Sequence, residues 1–224
     1  MCSVKQMLRL VQGDVGSGKT LVAALAAVQV IAAGYQVAVM APTEILAEQH
    51  YQNFRQWFAT LNIQVAWLAG KVKGKQRKHQ LEQIASGDAA VVVGTHALFQ
   101  EEVQFARLAL VVIDEQHRFG VHQRLSLREK GADGIRAPHQ LIMTATPIPR
   151  TLTMSAYADL DCSIIDELPP GRTPVNTLVI SDSRREEVIE RVKQACTQGR
   201  QAYWVCTLIE ESEALQCQAA EVTA

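Results

Sequence analysis

The sequence lacks a membrane-length apolar run, a signal peptide and a strong net charge. Its longest apolar stretch, Leu21–Ala33, is shorter than the roughly 20 residues of a membrane helix and is interrupted by Gln29. The N-terminus, MCSVKQMLRL, has no apolar core of the signal-peptide kind. A net charge of −1 gives no general attraction to polyanions, so nucleic-acid contact would require a local patch. We expect a cytoplasmic protein that does not bind membranes.

The cysteines form no CxxC pair, and they lie at positions 2, 162, 196, 206 and 217. This spacing predicts neither a zinc site nor a disulfide framework. Scattered, reduced thiols in a cytosolic protein are the expectation.

The sequence does contain a repeated order of strand, loop and helix. Runs such as AAVVVG and LALVVID are continuous rather than alternating, which is typical of parallel strands covered on both faces. We therefore predict an open, wound α/β sheet that binds its ligand at the carboxyl ends of the strands. The predicted strands are Met7–Gln12, Gln36–Met40, Val65–Leu68, Ala89–Gly94, Leu108–Ile113 and Gln140–Met143.

Two helices are predicted between these strands. Thr20–Ala33 is apolar on almost all sides, which predicts a buried helix, and Gly34 is placed to close it. Glu44–Leu61 is the second helix, with one face formed by Ile45, Tyr51, Phe54 and Phe58.

Prolines and a glycine between Glu167 and Pro174 interrupt regular structure. We predict a first α/β domain over 1–168, a linker over 169–175, and the start of a second α/β domain over 176–224. The second domain is expected to contain a strand at Thr177–Ile180, a helix at Arg184–Cys196, a strand at Ala202–Thr207 and a helix from Glu210. Because so few residues cannot complete a wound domain, we expect the chain to be a fragment.

Gly13–Thr20 fits the phosphate-loop pattern GxxxxGK[ST] and lies between a predicted strand and a predicted helix. Glycines let backbone amides approach phosphate oxygens, and a helix N-terminus adds a positive dipole end. The loop therefore predicts binding of a nucleoside triphosphate with Mg²⁺, against the alternative of a glycine-rich turn that binds nothing. The residues assigned to this site are Gly13, Asp14, Val15, Gly16, Ser17, Gly18, Lys19 and Thr20.

Asp114 and Glu115 follow the predicted strand at Leu108–Ile113. One carboxylate can hold the magnesium shell while the next orients and deprotonates the attacking water. An acidic turn without function is the alternative, and the upstream phosphate loop favours the catalytic interpretation.

The motifs in order resemble those of superfamily-two helicases and translocases. They are GSGKT, Ala41-Pro-Thr-Glu44, Gly94-Thr-His96, Asp114-Glu-Gln-His117 and Thr144-Ala-Thr146. The longer strings GDVGSGKT, DEQHRFGVHQR, MTATPIPRTL and QAYWVCTLIEESE resemble the RecG family of bacterial ATP-dependent DNA helicases. The motor of transcription-repair coupling factors is the nearest alternative, and Gln116 and the CTLIEESE segment favour the RecG family.

The resemblance implies a RecA-like, P-loop ATPase fold and ATP hydrolysis coupled to movement on double-stranded, branched DNA. It implies that Lys19 and Thr20 bind triphosphate and magnesium, that Asp114 holds the metal and that Glu115 is the base. Gln116 and His117 are expected to sense the γ-phosphate and pass its state to Thr144 and Thr146.

Four residues are expected, by the same resemblance, on loops that face the DNA backbone: Pro42, Thr43, Thr95 and His96. Alternatives stay open from the residues themselves. Thr43 can cap the following helix, and His96 can be an ordinary half-buried histidine. The basic run Lys71–Lys78 can bind phosphates, although a solvated helix start explains it as well.

The resemblance also implies parts that this chain does not contain. An arginine finger would lie beyond Ala224, and an adenine-recognition segment and a wedge domain would precede Met1. Without the remainder of the polypeptide, we therefore expect this chain to bind nucleotide weakly and to hydrolyse ATP slowly. We also expect a monomer.

Overall fold

The computed structural model describes residues 6–70, 72–115, 137–146, 160–167, 169, 171–173 and 175–205. Within them the chain divides into two compact units, 1–172 and 173–224. The division falls inside the segment 169–175. The assignment of the units as successive RecA-like domains stays a prediction.

The first unit is built on seven strands in one sheet, and every strand pair in the described part of the chain is parallel. The strand order is β3-β4-β2-β5-β6-β1-β7. The strands are β1 (Leu8–Gly13), β2 (Gln36–Met40), β3 (Val65–Leu68), β4 (Val91–Gly94), β5 (Leu108–Asp114), β6 (His139–Thr144) and β7 (Asp161–Ile165). The predicted parallel α/β sheet is confirmed.

In the described part of this unit, three α-helices connect the strands: α1 (Lys19–Ala32), α2 (Glu44–Ala59) and α3 (Gly74–Ser86). A 3-10 helix, His96–Phe99, follows β4. No helix in the described ranges is both long and apolar enough to cross a membrane.

The sheet is covered by helices on both faces, and successive strand residues point to opposite faces. On β2, Val37 and Val39 join a core with α1 and α2. The alternate residues Ala38 and Met40 join a second core with Ile84 of α3. This two-sided burial explains the continuous apolar runs.

Helix α1 is less buried than its composition predicts. Ala23, Ala27 and Val30 pack in the core, whereas Leu21 is 52% exposed and Leu25 is 60% exposed. The predicted burial is therefore confirmed for one side of the helix only, because one sheet face covers only one side of a helix. The predicted end at Gly34 is confirmed, since Gly34 has a positive φ of 81° and its N–H donates to the Ile31 carbonyl.

The face predicted for helix α2 is largely confirmed, since Phe54 and Phe58 are buried and Tyr51 packs against the same core. Its buried residues are Ala47, His50, Phe54 and Phe58. Ile45 is 81% exposed because it lies in the first turn, away from the sheet.

Strand β7 escaped sequence analysis because it is short and only partly buried. It pairs with β1 at one edge of the sheet. An edge strand need not be a continuous apolar run, so periodicity gives little signal for it.

Polar side chains fix the ends of several strands. Burial lowers the pKa of His139 below its usual value of 6.5, which favours the neutral ring. The Met7 N–H donates to His139 Nδ1 at 2.8 Å, joining the starts of β1 and β6.

The second unit contains a 3-10 helix at Asp182–Arg184 and helix α4 (Arg185–Thr197). The helix predicted at Arg184–Cys196 is thereby confirmed. The prediction of a strand at Thr177–Ile180 was wrong, because these residues are exposed and have irregular backbone. Residues 202–205 are also irregular. Apolar content alone does not make a strand without a neighbouring strand to pair with.

Candidate functional site

The phosphate loop follows β1 and leads directly into α1, as predicted. Strand β1 ends at Gly13 and α1 begins at Lys19. Gly16 and Gly18 have positive φ values of 84° and 93°, a conformation that side chains with a Cβ rarely adopt. The loop therefore needs glycine at both positions.

Gly13 is required for a different reason, which is close approach. A Cβ at this position would lie 2.6 Å from Ser17 Oγ and 3.0 Å from Ile165 Cβ. The end of β1 and the edge strand β7 thus leave no room for a side chain beneath the loop.

The donors around the loop fit a bound phosphate. Lys19 Nζ donates to the carbonyls of Gly13 and Asp14, each at 2.8 Å, so both of these partners are uncharged. Ser17 Oγ is buried and has no hydrogen-bond partner among the described residues. A Cβ on Gly18 would meet nothing within 4 Å. The loop therefore offers an ammonium group, an unsatisfied hydroxyl and open space beside a helix N-terminus.

An arginine from the end of the first unit holds the other side of this loop. Arg172 Nη1 donates to the Val15 carbonyl at 2.8 Å and lies 3.0 Å from Asp14 Oδ2. A turn presents this side chain: the Arg172 N–H donates to the Pro169 carbonyl, and Gly171 has a φ of 79°. Sequence analysis assigned this segment only to a linker and missed the contact.

The two predicted carboxylates lie at the end of β5. Asp114 is the last residue of the strand and pairs in register with Met143 of β6. Its Oδ2 lies 2.7 Å from His50 Nε2 of α2, with side-chain exposures of 14% for Asp114 and 9% for His50. His50 is the second residue that sequence analysis missed. The available signal was a histidine in the apolar stripe of α2.

Glu115 is held by the last residue of β6 and the residue that follows it. Its Oε2 accepts a hydrogen bond from Thr144 Oγ1 at 3.0 Å, and its Oε1 accepts one from the Ala145 N–H at 3.1 Å. The Thr146 N–H donates to Thr144 Oγ1 at 3.1 Å. The structure thus joins two predicted motifs through one carboxylate.

The backbone of Glu115 is strained. Its φ of 49° lies in the left-handed region, which costs a residue other than glycine about 1–2 kcal/mol. Its N–H donates to the Met143 carbonyl at 2.9 Å, so the neighbouring strand helps to hold this conformation. Such strain is found where a side chain must be aimed in a particular direction.

The four residues expected near DNA follow β2 and β4. Thr43 is exposed and caps α2, since its side chain accepts a hydrogen bond from the Leu46 N–H at 3.3 Å. Pro42 is half-buried and His96 is exposed. Thr95 is only 2% exposed, so its hydroxyl does not lie at the surface. The arrangement therefore offers Pro42, Thr43 and His96 for an outward contact, but not Thr95.

The basic run is partly neutralised. Lys71 lies outside the described residues, and α3 begins at Gly74 within the run. Arg77 Nε donates to Glu102 Oε1 at 3.0 Å, and Lys78 Nζ lies 3.9 Å from Glu82 Oε1. These contacts agree with a solvated helix start, while DNA binding by the run stays untested. Gln116 and His117 also lie outside the described residues.

All these segments reach the same edge of the sheet because the strands are parallel. The strand order is β4-β2-β5-β6-β1 in this part of the sheet. The loops after β4 and β2, which carry Pro42, Thr43 and His96, therefore lie on one side of the carboxylates at the end of β5. The phosphate loop after β1 lies on the other side. Two strand spacings, about 10 Å, separate β5 from β1. Among the described residues, no group of three or more His, Cys, Asp or Glu could hold a metal ion by itself. A few oxygen ligands completed by a phosphate and water suit Mg²⁺.

Comparison with known proteins gives consistent findings. The sequence model of the DEAD/DEAH box helicases matches residues 3–155. The chain is 72% identical to the ATP-dependent DNA helicase RecG of Escherichia coli (strain K12), over 97% of this chain and 32% of that protein. It is 51% identical to RecG of Bacillus subtilis (strain 168), over 97% of this chain and 31% of that protein. The chain thus spans about a third of the length of the curated relatives it matches.

A solved structure of RecG bound to a three-way DNA junction also matches. It superposes with a TM-score of 0.74 at 44% identity, covering 88% of this chain and 26% of that chain. The fold is therefore shared with this structure.

Proposed function

Because the chain belongs to the DEAD/DEAH box helicase family, we propose that it is the ATP-hydrolysing motor part of a RecG-like DNA helicase. In this role it couples ATP hydrolysis to movement on double-stranded DNA and remodels branched replication and recombination intermediates. The high identity to RecG proteins supports this function. That identity does not favour the motor of a transcription-repair coupling factor.

One observation carries the proposal. The phosphate loop after β1 and the carboxylates after β5 lie at the same edge of one parallel sheet, separated by β6 alone. The carboxyl end of β6 and the residue after it hold Glu115. A triphosphate in the loop would therefore have its reacting end near Asp114 and Glu115. This supports hydrolysis over simple nucleotide binding, since binding alone does not need Glu115.

The chain's own residues would divide the work of binding. Lys19 would leave the loop carbonyls and pair with the β- and γ-phosphates, while backbone amides of Gly13–Thr20 hold the other oxygens. The Thr20 hydroxyl and the Asp114 carboxylate would hold Mg²⁺. When bound, the ion neutralises charge on the β- and γ-phosphate oxygens.

Glu115 would act as the general base. Its carboxylate is fixed by Thr144 and Ala145, so it can orient one water molecule and accept its proton. Any movement of the β6 segment would then act directly on the base. Gln116 and His117 follow it in sequence and would sense the γ-phosphate.

DNA would lie along the loops after β2 and β4. Backbone amides and the side chains of Thr43 and His96 can bind phosphates without reading bases, as a motor on any sequence requires. The second unit, 173–224, would be the start of a second RecA-like domain. The same proposal places the protein in the bacterial cytoplasm, as a monomer.

The proposal predicts loss of ATP hydrolysis when the lysine of the phosphate loop is removed. Lys19→Ala should lower the DNA-stimulated ATPase rate by about 100-fold or more, because a cation at the transferring phosphate is lost. The rate is measured on the full-length gene product, with and without branched DNA.

An exposed lysine of α4 provides the matched control. Lys193→Ala should leave the rate without DNA unchanged, since Lys193 lies outside the first unit. Unchanged turnover in Lys19→Ala would refute the assigned site. A wild-type ATPase that ignores branched DNA would refute the helicase role.

A further inference from the structure

His50 is a buried histidine whose side chain contacts the candidate metal carboxylate. It lies on the sheet-facing side of α2, 7% exposed, between Ala47 and Phe54. Its Nε2 is 2.7 Å from Asp114 Oδ2. The contact joins positions 64 residues apart, in different elements.

The chemistry of the two groups fixes the direction of this hydrogen bond. An ionised carboxylate only accepts, so His50 Nε2 must carry the proton and donate it. The other ring nitrogen, Nδ1, is buried and has no hydrogen-bond partner among the described residues. Leaving a buried polar atom unpaired costs free energy. Apolar packing alone would be better served by leucine at this position.

The contact constrains one oxygen of Asp114. With Oδ2 held by His50, rotation of the carboxylate is restricted and Oδ1 is left for another partner. Magnesium demands near-ideal octahedral geometry with short metal–oxygen distances. A carboxylate that rotates freely would meet that geometry less often than one held by a second group.

We propose that His50 is a positioning residue that orients the Asp114 carboxylate for Mg²⁺. The inference rests on the proposed function, in which Asp114 holds the metal. His50 does not touch the nucleotide in this scheme and acts through Asp114. Residues that orient a metal ligand in this way typically contribute about 10- to 100-fold in metal affinity or activity.

The test compares His50→Leu with His50→Gln in the full-length gene product. Leucine keeps the apolar volume but removes the donor, whereas glutamine keeps an N–H donor on a side chain of similar reach. We expect His50→Leu to raise the magnesium concentration for half-maximal ATPase by about 10-fold or more. His50→Gln should restore it to within about 3-fold of wild type. The KM for ATP at saturating magnesium should change little in both.

A binding measurement separates this role from activity. Mn²⁺ bound to the protein with ADP, detected by electron paramagnetic resonance, should show the same order of affinity: wild type, His50→Gln, then His50→Leu. Thermal unfolding of each variant shows whether it is folded. If His50→Leu does not fold, His50→Asn replaces it, because the shorter amide holds its donor farther from Asp114.

Asp114→Ala distinguishes the two ways in which the idea can fail. If Asp114→Ala weakens Mn²⁺ binding while folded His50→Leu or His50→Asn does not, the positioning role is refuted and the proposed function stands. If Asp114→Ala leaves Mn²⁺ binding unchanged, the assigned metal site itself is refuted.

Discussion

Gly94 shows how closely β3 and β4 approach each other at their carboxyl ends. A Cβ at this position would lie 2.1 Å from the Leu68 carbonyl oxygen and 3.2 Å from Leu98 Cδ2. The first of these atoms belongs to the backbone of β3 and cannot rotate away. Glycine is therefore required here for space.

Gly94→Ala should lower the free energy of unfolding by about 1–3 kcal/mol, because the extra methyl group forces β3 and β4 apart. Urea denaturation of the variant measures the change. Gly70→Ala is the matched control, since its new Cβ would meet Glu44 Oε1 at an ordinary 3.4 Å. Its change should stay within about 0.5 kcal/mol. Equal losses in both variants would contradict the steric argument.

The residues of the candidate site differ in how far sequence could predict them. Lys19 and the glycines around it belong to a local sequence motif, in which each position has its own steric or charge requirement. His50 and Arg172 are defined by partners 64 and 157 residues away. No local pattern encodes such a contact, so only the folded chain reveals it.

At the scale of elements, Gln36 joins three segments at the start of β2. It is 3% exposed, and its Nε2 donates to the carbonyls of Ile84 and Ala89, each at 2.9 Å. Its Oε1 accepts a hydrogen bond from the Arg107 N–H at 2.9 Å. One amide thus connects β2 to the end of α3 and to the segment before β5.

Gln36→Met should lower the free energy of unfolding by about 3 kcal/mol. The side chain keeps its length, but two of the backbone groups that it pairs with lose their partner in a buried place, while the Ile84 carbonyl keeps the Gly87 N–H. Each such loss costs about 1–3 kcal/mol before relaxation. Chemical denaturation measures the loss. Gln104→Met is the control, because Gln104 donates to a local carbonyl, that of Glu101, in an exposed position. A variant as stable as wild type would show that water replaces the amide.

Elements were predictable where burial is two-sided. Strands β2 and β5 are covered on both faces, so their composition alone identified them. Strand β7 and the residues Thr177–Ile180 show the opposite case. The first is a strand because β1 lies beside it, and the second is irregular despite its apolar residues. Pairing, which decides both cases, is a property of the fold and not of the segment.

At the scale of the whole molecule, the two units differ in how much they bury. The first unit has a core on each face of the sheet. The described residues 175–205 of the second unit include no buried side chain. Local opening should therefore be easier in the second unit when this chain is studied by itself.

Hydrogen–deuterium exchange on the 224-residue chain measures this difference. The amides of α4 should exchange at least about 100-fold faster than those of β5, because few apolar contacts oppose their opening. Amides of β2 serve as an internal standard for a fully buried strand. Equal protection of α4 and β5 would contradict the prediction.

The strand order also has a consequence for folding during synthesis on the ribosome. Strand β1, which leads into the phosphate loop, is translated before the other strands of this sheet, yet its neighbours in the sheet are β6 and β7. The Met7–His139 contact alone spans 132 residues. At 5–20 residues per second, that stretch takes on the order of 10 s to synthesise. A nascent chain therefore carries the phosphate-loop sequence before the strands that flank β1 in the folded sheet have been made.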